Sequence, residues 1–247
     1  AKFNEINVCE TCNLSNANLS GTYFHGANLD RADLRGVNFS EAILSAAMLN
    51  EADLSGAILE DAQLRYAILR EAILDHAILV GVDLIGANLV SASLVDVDFR
   101  GVNLRDANLS GANLSGSNLI GVDMRYTNLI GANLAKTDLR GADLRGLDLR
   151  STNLYQAYLN GANLGGSDLR TTNFSNLNLS GVNLRGANLR DSNFTGTNLA
   201  GADLSEIDLR STNLYQAYFR GANLSGSDLR ATNFSNLNLS GVNLRGA

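Results

Sequence analysis

The chain contains no proline and no tryptophan, two cysteines, two histidines and 6% aromatic residues. Each scarcity removes a class of protein. No apolar run approaches the ~20 residues of a membrane-spanning helix, so no membrane span is expected. His25 and His76 are too few and too far apart for a recognisable nucleophile constellation, and no glycine-rich phosphate loop opens a helix. No cofactor or metal site is therefore expected, and no enzymatic activity. No signal peptide is visible, and Ala1 in place of Met is compatible either with a processed secreted protein or with a start inside a longer chain.

What the sequence does contain is one phrase of five residues, roughly A-(N/D)-L-x-x. It runs from Cys12 to Ala247 without an insertion. Leu, Phe or Met stands at every fifth position from Leu14 to Leu244, and two residues before it is a small side chain, as at Ala17, Ala27, Ala112 and Ala222. Five residues advance about 500° on an α-helix, so these leucines cannot form a stripe. In a continuous strand an odd period sends successive leucines to opposite faces. What remains is a backbone that turns a corner every five residues, with Leu and the small residue inward and the 24 glycines largely at corners, where positive φ is needed. A molecule repeated in this way is quasi-one-dimensional, with no separate domain or linker.

Runs such as Ala107-Asn108-Leu109-Ser110-Gly111-Ala112-Asn113-Leu114 resemble the pentapeptide-repeat proteins. The resemblance implies an all-β, right-handed quadrilateral β-solenoid with four phrases per coil. Residues 12–247 would make about twelve coils, and residues 1–11 a short non-repeat cap. At the ~4.8 Å spacing of neighbouring strands, the rod would be about 55 Å long. The best-known members of the family bind a type II topoisomerase by resembling DNA. This chain has no inserted loop, and its Arg-rich second half has the wrong sign for a DNA-binding groove, so the DNA-mimic reading ranks last and no nucleic acid partner is expected.

Given four phrases per coil, residues twenty apart stack in columns. Arg150, Arg170, Arg190, Arg210 and Arg230 form one column, two residues after Asp148, Asp168, Asn188, Asp208 and Asp228. This predicts an Asp/Arg ladder that is either a solvated face or a track for an acidic partner. Asn113 to Asn233 form a second column of seven amides, able to hydrogen-bond along the axis. Residues 148–187 and 208–247 lie sixty residues, or three coils, apart and match at 36 of 40 positions, so a three-coil block has been copied. Outward apolar residues Ile58, Ile78, Val80, Ile85, Val90 and Val95, with Ile68 and Ile73, predict an apolar belt that serves as a lateral interface or simply suits pleated edges.

Cys9-Glu10-Thr11-Cys12 is a lone C-x-x-C. It suits a redox pair, half a metal site, or a structural disulfide or buried thiols in the cap. The last pair of alternatives is favoured, since no second C-x-x-C accompanies it. Together with Asn13-Leu14-Ser15 it resembles the start of exported cyanobacterial members, which implies an extracellular, periplasmic or lumenal location.

Residues 1–124 carry a net charge of −9 and residues 125–247 a net charge of +3. This polarity favours head-to-tail encounter. The leading expectation is a structural rod that joins end to end into a filament, with Phe234, Leu239 and Leu244 docking near Leu14 and Leu19 of the next copy. A protein-binding module using the apolar belt or the Arg column is the alternative.

Overall fold

The computed structural model describes residues 8–247, a right-handed quadrilateral β-solenoid of twelve twenty-residue coils. Each coil has four sides. Face 1 is centred on Leu14, Leu34 and onward to Phe234; face 2 on Leu19 to Leu239; face 3 on Phe24 to Leu244; and face 4 on Leu29 to Leu229, with Cys9 at its start. Most sides pair in parallel with the residue twenty positions on, as Asn28 does with Met48 and Asn113 with Asn133. Among the described residues the pairing begins at Val8, which bridges Asn28, so coil geometry already holds in residues 8–11 of the expected cap. The rest of that cap, residues 1–7, lies outside the described residues.

The five-residue phrase is explained atom by atom. The central Leu carbonyl accepts the N–H three residues on, as Leu14 does from Ala17 (3.0 Å). The third residue of that turn has positive φ, +57° at Asn16, as a type II turn requires. The preceding Asn or Asp accepts from the N–H just after the Leu, as Asn108 Oδ1 does from Ser110 (3.1 Å), which satisfies a donor that the corner would leave unpaired. Alternation of small and large inward residues then fills the coil. Every central residue from Leu29 to Leu224 is at most 3% exposed, and each buried Leu contributes about 1.5–3 kcal/mol. Several inward hydroxyls donate to main-chain carbonyls of the preceding coil, as Ser117 Oγ does to Leu94 O (2.6 Å) and Thr197 Oγ1 to Phe174 O (2.7 Å), while Thr152 and Ser192 donate to the carbonyl three residues back.

The stack is not uniform. Among the described residues, coil-to-coil bridging lapses at Asn103/Asp123, Asn128/Asp148, Asn153/Asn173, Tyr158/Asn178, Asn188/Asp208, Asn213/Asn233 and Tyr218/Asn238. Four of these seven adjoin Leu147, Leu177, Ile207 or Leu237, which are the only phrases with Leu or Ile where the inward residue is otherwise Ala, Val, Ser, Thr or, at the start, Cys12. The space beside a corner takes side chains up to the size of Val, as at Val37 and Val182. A branched four-carbon side chain holds the backbone away from its neighbour, in the way that overpacking shifts a core. Because the block is copied, the lapses at Asn153/Asn173 and Tyr158/Asn178 recur sixty residues later.

Candidate functional site

The surface is built of columns, and the Arg column on face 4 is the most ordered of them. Arg150 donates from Nε to Asp148 Oδ1 (2.9 Å) and from Nη2 to Oδ2 (2.6 Å), and the same carboxylate accepts its main-chain N–H (3.1 Å). Its Nε also lies 3.4 Å from Asp168 in the next coil. Arg170, Arg210 and Arg230 hold Asp168, Asp208 and Asp228 in the same two-pronged way, and Arg210 reaches on to Asp228. The ladder has one gap. Asn188 replaces the carboxylate, and Arg190 retains only the corner residue Asp191 at 3.4 Å. Ile130, Arg150, Arg170 and Arg190 line a shallow groove beside it.

In this column and elsewhere on the rod, the guanidinium groups of Arg35, Arg100, Arg125, Arg140, Arg145, Arg150, Arg170, Arg210 and Arg230 hold the carboxyls two residues before them, Asp33, Asp98, Asp123, Asp138, Asp143, Asp148, Asp168, Asp208 and Asp228, below the usual carboxylate range, chiefly through side-chain hydrogen bonds. A depressed folded value means that the stabilisation is present above the unfolded carboxyl value of about 3.9 and is lost as pH falls below it. Thermal unfolding followed by circular dichroism should therefore give a flat Tm from neutral pH to about pH 5, then a decline below about pH 4. The pairs are exposed and each contributes little, so substituting one, as in Asp148→Asn, should only slightly reduce the acid sensitivity. A Tm already falling through pH 6 would contradict this.

The amide column on face 1 is present in two runs. Asn133 Nδ2 donates to Asn113 Oδ1 and Asn153 to Asn133 (both 2.9 Å); Asn193 donates to Asn173 and Asn213 to Asn193 (both 3.2 Å). The runs part at Asn153/Asn173, where the backbones also separate. The apolar residues do not gather. Ile73 and Val95 lie on face 1, Ile58, Ile78 and Val80 on face 2, Ile85 on face 3, and Ile68 and Val90 on face 4; only Ile73, Ile78 and Val80 are well exposed. The belt encircles the rod, and no side of it offers more than three of these residues.

Cys9 and Cys12 are disulfide-bonded across the Glu10-Thr11 corner, with Cα atoms 5.3 Å apart, and both pack against the core. Glu10 pairs with Arg31 of the next coil. Leu14 and Leu19 lie at one end of the rod and Phe234, Leu239 and Leu244 at the other. Leu19 is nearly covered, Leu14, Phe234 and Leu239 are half-buried, and Leu244 is exposed. His25 and His76 are both exposed. No group of His, Cys, Asp and Glu among the described residues is arranged to hold a metal ion, and no helix among them is long and apolar enough to cross a membrane.

Eight matches to the family model described as "Pentapeptide repeats" together cover residues 12–247. The chain belongs to the pentapeptide-repeat family. Among solved structures, this pentapeptide-repeat protein is similar to HetL, a protein involved in heterocyst differentiation regulation from the cyanobacterium Nostoc sp. strain PCC 7120. The identity is 33% over 88% of this chain and 89% of that one, with a TM-score of 0.53. It is also similar to QnrB1, a plasmid-mediated fluoroquinolone resistance protein, at 20% identity over 85% of this chain and 88% of that one, with a TM-score of 0.38. A pentapeptide repeat protein from the Arabidopsis thaliana thylakoid lumen is 30% identical over 49% of this chain and 70% of that one, with a TM-score of 0.22. A search of curated proteins returned no match.

Two features of this pentapeptide-repeat protein escaped the reading of its sequence. The first is the set of bridging lapses, whose signal was Leu or Ile at the small inward position. The second is the tyrosines. All seven are exposed, and four of them occur as Tyr155-Gln156-Ala157-Tyr158 and again as Tyr215-Gln216-Ala217-Tyr218 within the copied block.

Proposed function

We propose that this pentapeptide-repeat protein acts without enzymatic chemistry, as a stiff scaffold rod that joins head to tail into a filament. The observation that carries the reading is the unbroken twenty-residue register from Val8 onward, which leaves columns of repeated side chains as the only variable part of the molecule. The charge polarity along the axis supports unlike ends meeting. In the finer form, Phe234, Leu239 and Leu244 of one copy meet Leu14 and Leu19 of the next.

Electron microscopy of the protein as isolated, before reductant or denaturant, tests this. Fibres with a ~4.8 Å axial repeat are expected. Discrete rods of uniform length would remove the filament and leave the scaffold. Leu239→Lys with Leu244→Lys should abolish fibres, and fibres that persist would rule out the named contact.

A second reading, a module for an acidic protein partner, is favoured by one observation: Arg190 lacks the two-pronged carboxylate partner that Arg150, Arg170, Arg210 and Arg230 have. Binding lost in Arg190→Ala but not in Arg230→Ala would support it. The DNA-mimic reading is the weakest, because nine aspartates are each neutralised by the guanidinium group two residues on; gyrase binding that weakens with salt would revive it. For location, the Cys9–Cys12 bond favours an oxidising compartment: cell exterior, periplasm or lumen. Alkylation of the unreduced protein should leave both cysteines unlabelled, and labelling of both would count against that placement.

A further inference from the structure

The two Tyr-Gln-Ala-Tyr segments bracket equivalent corners between faces 1 and 2, three coils apart, and each tyrosine ring stands in solvent. Each segment also lies against a place where the stack is unbridged. Asn153/Asn173 and Tyr158/Asn178 flank the first, and Asn213/Asn233 and Tyr218/Asn238 the second. At the first, the seam opens into two shallow clefts that share Leu177. One includes Asn153, Tyr155, Asn173 and Ser175; the other includes Gln156, Tyr158, Asn176 and Asn178. The main-chain groups of Leu154 and Asn173, and of Leu159 and Asn178, do not bond across this seam as their equivalents do in neighbouring coils.

We propose that these two tyrosine-flanked seams are binding sites for a neutral polysaccharide, a single chain of which runs along the edge between faces 1 and 2 and engages both. An exposed tyrosine offers a flat apolar platform whose negative π-face attracts C–H groups, and it keeps a hydroxyl at the rim. A sugar ring presents the complementary chemistry, with C–H groups on its face and hydroxyls around its edge. The side-chain amides of Asn153, Gln156, Asn173 and Asn176 supply both donors and acceptors to those hydroxyls.

Charge decides against an ionic partner here. Lys136 is the one charged side chain lining either cleft, whereas an anionic polymer would be drawn to the Arg column on face 4. Three coil spacings separate the sites by about 14 Å, so an oligomer of several sugars can reach both while a monosaccharide cannot. Engaging both should raise affinity about 10²-fold or more over one. None of this requires the rod to join end to end, so the two proposals fail independently.

Affinity gel electrophoresis with hydroxyethyl cellulose, mixed-linkage β-glucan, xyloglucan and dextran, against chondroitin sulfate as an anionic control, tests the proposal. At least one neutral glycan should retard the protein, equally at low and high salt. Tyr155→Ala with Tyr158→Ala should weaken retardation by about 10²-fold, the loss of one of two linked sites. Removing all four tyrosines should abolish it, and Tyr155→Phe with Tyr215→Phe should preserve it because the rings remain. The four side chains are exposed, so the alanine variants should keep the native circular dichroism spectrum. If the quadruple variant unfolded, the pairwise variant would still have to show its drop. Retardation by none of the neutral glycans, retardation unchanged by the alanine variants, or salt-sensitive retention by chondroitin sulfate alone would each overturn the proposal. So would tyrosine-dependent self-association in ultracentrifugation without glycan.

Discussion

Leu109→Ala should destabilise the rod by about 3–4 kcal/mol, the middle of the range for emptying a fully buried leucine site. Leu109 is 0% exposed at the centre of face 4, and its N–H donates to Asn128 O (2.8 Å), so its backbone is held on the far side by the next coil. A coil cannot collapse onto the space left behind without breaking such bonds, which is why the cavity should persist and its full cost appear. In a chain of this size the loss corresponds to a fall of about 10 °C in Tm. The effect should also be local in its structural signature, because each coil contacts mainly its two neighbours. Hydrogen exchange should show protection lost first in the coils around Leu89 and Asn128, with both ends retaining theirs. The control is Ser110→Ala, one residue on but outward, which should change stability by less than about 0.5 kcal/mol. A change below about 1 kcal/mol for Leu109→Ala would mean that the inward column is not packed as described.

The inward column was legible in the sequence because it depends on one variable, the five-residue period, which no insertion disturbs. The Arg and Asn columns were legible for the same reason once twenty residues made a coil; four sides and handedness came from the family resemblance, since the period alone gives only a corner. The lapses in bridging were not legible. Leu147 and Leu177 look conservative beside Ala in an apolar position, and only the room inside the coil shows that they are too large. The positions of the apolar residues were legible too, since a chain that turns every five residues sends Val80, Ile85, Val90 and Val95 to four sides, but their exposure was not, because it depends on the side chains stacked above and below each of them. The tyrosines were overlooked because they occupy outward positions that the period leaves free. Their meaning lies in the seams beside them, which appear only when coils are stacked.

Gly116→Ala should cost more than Gly141→Ala, although both glycines sit at the same kind of corner with positive φ, +75° and +66°. The backbone term is shared: an alanine held in the left-handed region loses about 1–2 kcal/mol. Twenty-four non-glycine residues already occupy such corners, among them Ala46 and Lys136, so the conformation itself is tolerated. The difference lies one coil away. A Cβ at Gly141 would meet nothing within 4 Å, whereas at Gly116 it would lie 2.0 Å from Asp96 Oδ1 and 3.2 Å from its Cγ. Asp96 leans along the axis over the next corner, as Asn16, Asp61 and Asn176 do over Gly36, Gly81 and Gly196. A side chain that leans forward is thus matched by a missing one twenty residues later. Gly116→Ala should therefore cost about 2–3 kcal/mol in urea unfolding, against about 1 for Gly141→Ala. Adding Asp96→Ala should return about 1 kcal/mol to Gly116→Ala and nothing to Gly141→Ala, the non-additivity expected of groups in contact. Equal costs for the two glycines would show that Asp96 swings aside freely, and that the corner column is set by backbone conformation alone.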